Sequence, residues 1–239
     1  MQKWLTSTLF TFTALVFSFV VQAAHLPQSD QQKQLDEKLL SAFSGRRGQC
    51  PDLAKVRNLI QRGASANARN WDGNTLTVLM LAAQNGCTDI AELLLDAKAD
   101  VNAKASVVIG VGGGASGITS LSQAAASGNA PLVKMLIEHG ADLHALTGNG
   151  ATGMAFATTN EVVKELLDRG LEINARDKDG YTILILSAEG FYRPTVAYLL
   201  GHGADPNATA KDGTTALKLA EKIGRSDDVE LLRKAGAKE

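Results

Sequence analysis

Aromatic residues are scarce in this chain of 239 residues: they make up 5%, and of the 7 Phe four (Phe10, Phe12, Phe17 and Phe19) fall before residue 23. Whatever folds must therefore build its core from Ala, Leu, Val and Ile, small and medium side chains that suit closely stacked helices. An excess of either charge is also missing, with 24 Lys and Arg against 25 Asp and Glu and a net charge of -1. That disfavours a general basic surface, so no nucleic-acid partner is expected. At 45% hydrophobic and 21% charged, the composition excludes intrinsic disorder as a class. Cysteine is limited to Cys50 and Cys87, and histidine to His25, His139, His144 and His202. None of these His pairs with a Cys or carboxylate at zinc spacing, so no metal is expected. There is no Gly-Lys-Ser/Thr phosphate loop and no Gly-x-Ser-x-Gly nucleophile turn. An enzyme is not expected, nor is a cofactor.

Long hydrophobic runs are absent except at the start, where Leu5 to Val21 follows the short basic segment Met1-Gln2-Lys3-Trp4. Val21-Gln22-Ala23 then places small residues where a signal peptidase reads, so residues 1–23 read as a cleaved secretory signal peptide and 24–34 as a linker. An uncleaved transmembrane anchor is the alternative. It is disfavoured because Ala24-His25-Leu26-Pro27-Gln28 carries no Lys or Arg stop-transfer cluster. With no Cys at the cleavage point, a lipoprotein is excluded. For a bacterial chain the destination is the periplasm, or the chain is secreted. The second apolar run, Ser106 to Ile118, is broken by Gly and too short to span a membrane.

What the chain does have is self-similarity. Gly63-Ala64-Ser65-Ala66-Asn67-Ala68 recurs as Lys98-Ala99-Asp100-Val101-Asn102-Ala103, Gly140-Ala141-Asp142-Leu143-His144-Ala145, Gly170-Leu171-Glu172-Ile173-Asn174-Ala175 and Gly203-Ala204-Asp205-Pro206-Asn207-Ala208, with a truncated Gly236-Ala237-Lys238 at the end. Four residues before each copy stands a Leu (Leu59, Leu94, Leu136, Leu166, Leu199, Leu232), and seven before stands Val56, Ala91, Val133, Val163, Val196 or Val229. Two side chains three apart share one face of a helix, and that helix must end at the Gly. After the first unit a Thr announces and can cap a shorter first helix, as in Thr77-Val78-Leu79-Met80-Leu81-Ala82-Ala83 and Thr119-Ser120-Leu121-Ser122-Gln123-Ala124-Ala125. Asp72-Gly73, Asp179-Gly180 and Asp212-Gly213 supply the turns that lead back to the next Thr.

These residues resemble the ankyrin repeat from about Leu35 to Gly236, although Pro never follows the Thr and His never follows the Leu. The resemblance implies an all-α solenoid of about six helix-turn-helix units with projecting turns, at about 35–68, 69–103, 104–145, 146–175, 176–208 and 209–239. It also implies a non-enzymatic module whose concave side binds another protein. On that binding mode the partner-facing residues are Arg69, Asn70, Trp71, Gln84, Asn85, Val107, Val108, Ile109, Lys178, Asp179, Tyr181, Glu189 and Lys222. The partner expected is a protein of the envelope or an incoming toxin, captured by a monomer. An immunity or inhibitor role is set against protection of an envelope enzyme from oxidative stress.

The departures from the pattern carry the remaining readings. The first unit has an insertion, Arg46 to Pro51, and the fourth is shortened, leaving its first helix, Gly153 to Thr158, barely a turn and a half. The third has a Gly-rich tip, Val107 to Gly117, in which Gly112-x-Gly114-x-x-Gly117 matches a dinucleotide fingerprint without the βαβ frame that would give it meaning. It reads as a flexible, elongated finger. A ligand-binding protein or enzyme using this loop with Cys50 or Cys87 is the alternative from another class, and a structural spacer is a third. Alignment of the units places Cys50 and Cys87 in equivalent inter-helix turns of neighbouring units, with the insertion as slack, so a disulfide between them is expected.

Overall fold

A computed structural model describes residues 28–70, 75–109, 113–189 and 194–238. The expected signal peptide, Trp71, the Asp72-Gly73 turn, Gly112, Phe191 and Tyr192 lie outside the described residues. The elements run α1 (Gln28–Ser41), α2 (Leu53–Gln61), α3 (Val78–Gln84), α4 (Thr88–Asp96), β1 (Ala105–Ile109), β2 (Gly113–Ile118), α5 (Ser120–Ser127), α6 (Ala130–Glu138), a 3-10 turn (Gly153–Phe156), α7 (Asn160–Asp168), α8 (Ile183–Ala188), α9 (Val196–Gly201), α10 (Ala216–Lys222) and α11 (Ser226–Lys234).

The Thr residues do cap the first helices. Thr77, Thr119, Thr182 and Thr215 each accept the N–H three residues on, satisfying a donor that the helix cannot. The second helices stop where the Gly falls: Gly63, Gly140, Gly170, Gly203 and Gly236 all have positive φ. The N–H of the following residue then closes back on the stripe Leu, as Ala141 does on Leu136 at 2.9 Å and Ala204 on Leu199 at 3.0 Å. Lys98 takes the same left-handed conformation at φ 66, the one described non-Gly residue to do so.

First helices stack on first helices (α3, α5, the 3-10 turn, α8, α10), and second helices α2, α4, α6 and α7 stack in a parallel layer, with α9 on α11. Between the layers lie the stripe residues. All six Leu and Val56, Ala91, Val133, Val163 and Val196 are buried, while Val229 at the end of the stack is only half-buried. Each fully buried Leu contributes roughly 1.5–3 kcal/mol.

Two sequence expectations need correction. The segment 24–34 is not all linker, because α1 begins at Gln28. Gln32 donates to Asp36 one turn on, and Leu35, Leu39 and Phe43 repeat every fourth residue onto the core. The finger, expected to be flexible, is regularly paired over its described residues. β1 and β2 form an antiparallel ladder with Val107 opposite Ala115 and Ile109 opposite Gly113, consistent with β-branched residues preferring extended backbone. The two inter-helix turns that carry the cysteines differ in exposure. Cys50 is exposed, but Cys87 is only 3% accessible. The two form the expected disulfide, with α-carbons 5.5 Å apart.

Candidate partner-binding surface

The turn tips are laterally bonded into one ribbon along the edge of the first helices. Thr75 N–H donates to Ser106 O at 3.0 Å, Gly148 to Ser116 at 2.7 Å, Lys178 to Asn149 at 2.8 Å and Lys211 to Asp179 at 2.8 Å. The finger therefore rises from the ribbon with its base held on both sides. Gly117 sits so close to tip four that a β-carbon there would come within 3.0 Å of Leu146 O and Thr147 Cα.

A second set of bonds runs between the ends of the second helices. Asn102 Nδ2 donates to Gly140 O while its Oδ1 accepts from Asp142 N–H, and Asn67, Asn174 and Asn207 repeat both contacts onto the unit that follows. His144 stands in the Asn position of the third unit, and no such rung joins it to the fourth among the described residues. Arg69 and Arg176 add a third kind of tie. Each guanidinium donates to a carbonyl in its own tip and to one in the next: Thr75 and Lys104 for Arg69, Gly180 and Thr209 for Arg176. The equivalent residue of unit four is Leu146, which is 52% exposed.

The sequence-derived candidates fall into two bands. Arg69, Asn70, Lys178, Asp179 and Tyr181 lie along the tip ribbon. Several are engaged within the fold: Lys178 Nζ donates to Gly148 O at 3.0 Å, and the Tyr181 hydroxyl donates to Asp212 at 2.8 Å. The bond to Asp212 raises the Tyr181 pKa. Asp212 is held below its usual value, first by the Thr214 backbone N–H and then by that hydroxyl. Asn70 Oδ1 is buried without a hydrogen-bond partner among the described residues. Gln84, Asn85, Glu189 and Lys222 form the other band at the far ends of α3, α8 and α10, about 10 Å from the tips for helices of this length. Asn85 is turned away toward the insertion, where its Oδ1 accepts from Gly48 N–H at 2.8 Å. For Val107, Val108 and Ile109 the described feature is their backbone, the β1 strand.

Between the bands runs a row that sequence reasoning missed. Leu81, Phe156, Leu186 and Leu219 each stand four residues after the Thr of their unit and are half-buried on the first helices. Gln123 holds the same place in unit three, 9% accessible. The common offset from Thr77, Thr119, Thr152, Thr182 and Thr215 was the available signal. At the amino-terminal end, α1 and the first tip enclose a hollow of about 790 Å³ bordered by Gln32, Asp36, Leu40, Ser65, Asn67 and Arg69.

The repeat geometry agrees with the family comparison: the model described as ankyrin repeats, in three copies, matches residues 20–105, 48–147, 106–177, 121–210 and 154–239. The chain belongs to the ankyrin-repeat family. It is 27% identical over 128 residues to an ankyrin repeat protein of fowlpox virus, covering 52% of this chain and 35% of that protein. It is 35% identical over 114 residues to the human ankyrin repeat and KH domain-containing protein 1 (46% and 4%), and 40% identical over 70 residues to the rat ankyrin repeat and SAM domain-containing protein 6 (28% and 8%). The chain thus spans about a third or less of the length of these relatives. Ankyrin repeats generally mediate protein–protein interaction.

Proposed function

We propose that this chain is a non-enzymatic binding protein of the cell envelope that captures one protein partner along the tip ribbon and the first helices, and that its role is to neutralise an incoming toxin. The observation that carries the binding surface is the row Leu81, Phe156, Leu186 and Leu219, together with Leu146 exposed on the tip of unit four. An apolar row repeated at the unit spacing is surface that a soluble solenoid would keep polar unless something covers it. Export is supported by the leader-like composition of residues 1–23 and by the Cys50–Cys87 disulfide, which suits an oxidising compartment. The toxin reading is supported by the irregular units, in which an insertion, a finger and a shortened unit shape the molecule to one partner.

Co-expression with toxic products of adjacent genes tests the role. Rescue of growth together with a co-purifying complex is the expected result, and neither rescue nor complex with any of them removes the neutralising role. Within such a complex, Phe156→Ala and Leu186→Ala should each weaken affinity tenfold or more, about 1.4 kcal/mol, with the helical signal retained.

A further inference from the structure

In four of the second helices an oxygen side chain closes the first turn. Asp52 accepts from Lys55 N–H, Asn129 from Leu132, Thr159 from Val162 and Thr195 from Tyr198. In α4 the capping position is held by Cys87, whose side chain makes no such bond. Its sulfur is tied to Cys50 instead, and among the described residues nothing accepts from the N–H of Ile90, three residues on. The two residues also differ in exposure, Cys50 being exposed on the insertion while Cys87 is buried. A hollow of about 310 Å³, bordered by Cys50, Pro51, Leu53, Cys87, Asp89 and Ile90, opens beside them.

From this asymmetry we infer that Cys50–Cys87 is a thiol-exchange site, at which a small thiol becomes joined to Cys50. The incoming thiolate enters the hollow and attacks Cys50 Sγ, the sulfur it can reach. A new sulfur–sulfur bond forms there, the Cys50–Cys87 bond breaks, and its electron pair leaves on Cys87 Sγ as a thiolate. One disulfide is consumed and one is made, so no outside oxidant or reductant is needed. A thiolate is the acceptor that α4 lacks. It would form at the capping position of α4, three residues before the Ile90 N–H and at the positive end of the helix, and a stabilised leaving thiolate speeds exchange. Asp89 in the first turn opposes this in part. The same thiolate can return to Cys50 and expel the small thiol, so the modification is reversible. The Gly48 N–H to Asn85 bond ties the insertion to the second unit independently of the sulfurs.

The site is tested by incubating the oxidised protein with reduced glutathione in native buffer, quenching with acid, alkylating the free thiol in denaturant and mapping peptides without reduction. Glutathione on Cys50 with the alkyl group on Cys87 should exceed the opposite pattern at least tenfold, with the circular dichroism spectrum unchanged during incubation. Equal adducts on both cysteines, a preference for Cys87, or adducts that form only once denaturant is present would overturn the assignment. A second arm compares Asp89→Asn, which keeps both sulfurs and removes only the carboxylate charge in the first turn of α4, with the parent chain. The Cys50 preference should persist in it, and its loss would show that access is not what selects the sulfur.

Discussion

Asn102 holds the end of the next unit's second helix, its side-chain amide donating to the carbonyl of Gly140 at 2.9 Å. The rung recurs at Asn67, Asn174 and Asn207 and, among the described residues, is missing at His144, an exposed residue in the same place. Asn102→Ala should therefore cost about 1–2 kcal/mol, and His144→Asn, by completing the ladder, should stabilise by about 1 kcal/mol. Urea unfolding followed by circular dichroism checks both. A His144→Asn variant no more stable than the parent would mean that units three and four are not spaced to accept the rung.

Lys98 and Gly117 make opposite predictions from the same backbone rule. Lys98 ends α4 in the left-handed region, where an L side chain is disfavoured by roughly 1–2 kcal/mol, so Lys98→Gly should raise stability by up to that amount less the entropy of glycine. At Gly117 the φ is 70 and the space beside it is filled by tip-four backbone. Gly117→Ala should destabilise by about 1–3 kcal/mol. Thermal melts of the two variants should move in opposite directions.

The Tyr181–Asp212 bond predicts a pH signature. Asp212 has a lowered pKa in the folded chain, so its contribution is present above the ordinary carboxyl value and fades as pH falls through the lowered one. Tyr181 has a raised pKa, so its contribution is present below the ordinary phenol value and fades as pH rises through the raised one. In Tyr181→Phe the Asp212 carboxyl should move only part of the way back, because the Thr214 N–H remains its larger support. Carbon-detected NMR titration reads this directly, and an unmoved Asp212 would contradict the bond.

Much of this fold was legible because it is written locally. A Thr three residues before an orphan N–H, a Gly after a helix and a Leu four residues earlier each state a backbone requirement that sequence displays, and Thr77, Gly140 and Leu136 met it. The Cys50–Cys87 pairing followed from the register of the repeat. What joins one unit to the next was hidden. The Arg69 guanidinium, read in the sequence as partner-facing, donates to the Thr75 and Lys104 carbonyls within the fold. Phe156 and Leu186 went unmarked because hydrophobic periodicity shows which side chains are apolar, not how much of each is left uncovered. The amino-terminal boundary failed for another reason. The polar start of α1 carries little apolar periodicity, and its helix is supported by Gln32 and Asp36 instead.

Reduction should expose how the first unit is held. The Cys50–Cys87 bond closes 37 residues of sequence separation, worth about 4 kcal/mol in a chain-entropy account, less any strain. Cys50→Ser or excess reductant should lower the melting temperature of the amino-terminal units, leaving the transition of units five and six where it was. Hydrogen exchange resolved by residue separates the two. Uniform loss of protection along the whole stack would show that the solenoid unfolds as one unit.

Cross-linking mass spectrometry of a purified complex with an amine-reactive reagent tests the binding surface most directly, because exposed lysines mark both sides of the stack. Lys33, Lys104, Lys178, Lys211, Lys218 and Lys222 belong to the tips and first helices, while Lys55, Lys134, Lys164 and Lys234 lie on the second helices. Links to the partner should concentrate on the first group. Links concentrated on Lys55, Lys134, Lys164 and Lys234 would contradict a partner seated on the tip ribbon and the row from Leu81 to Leu219.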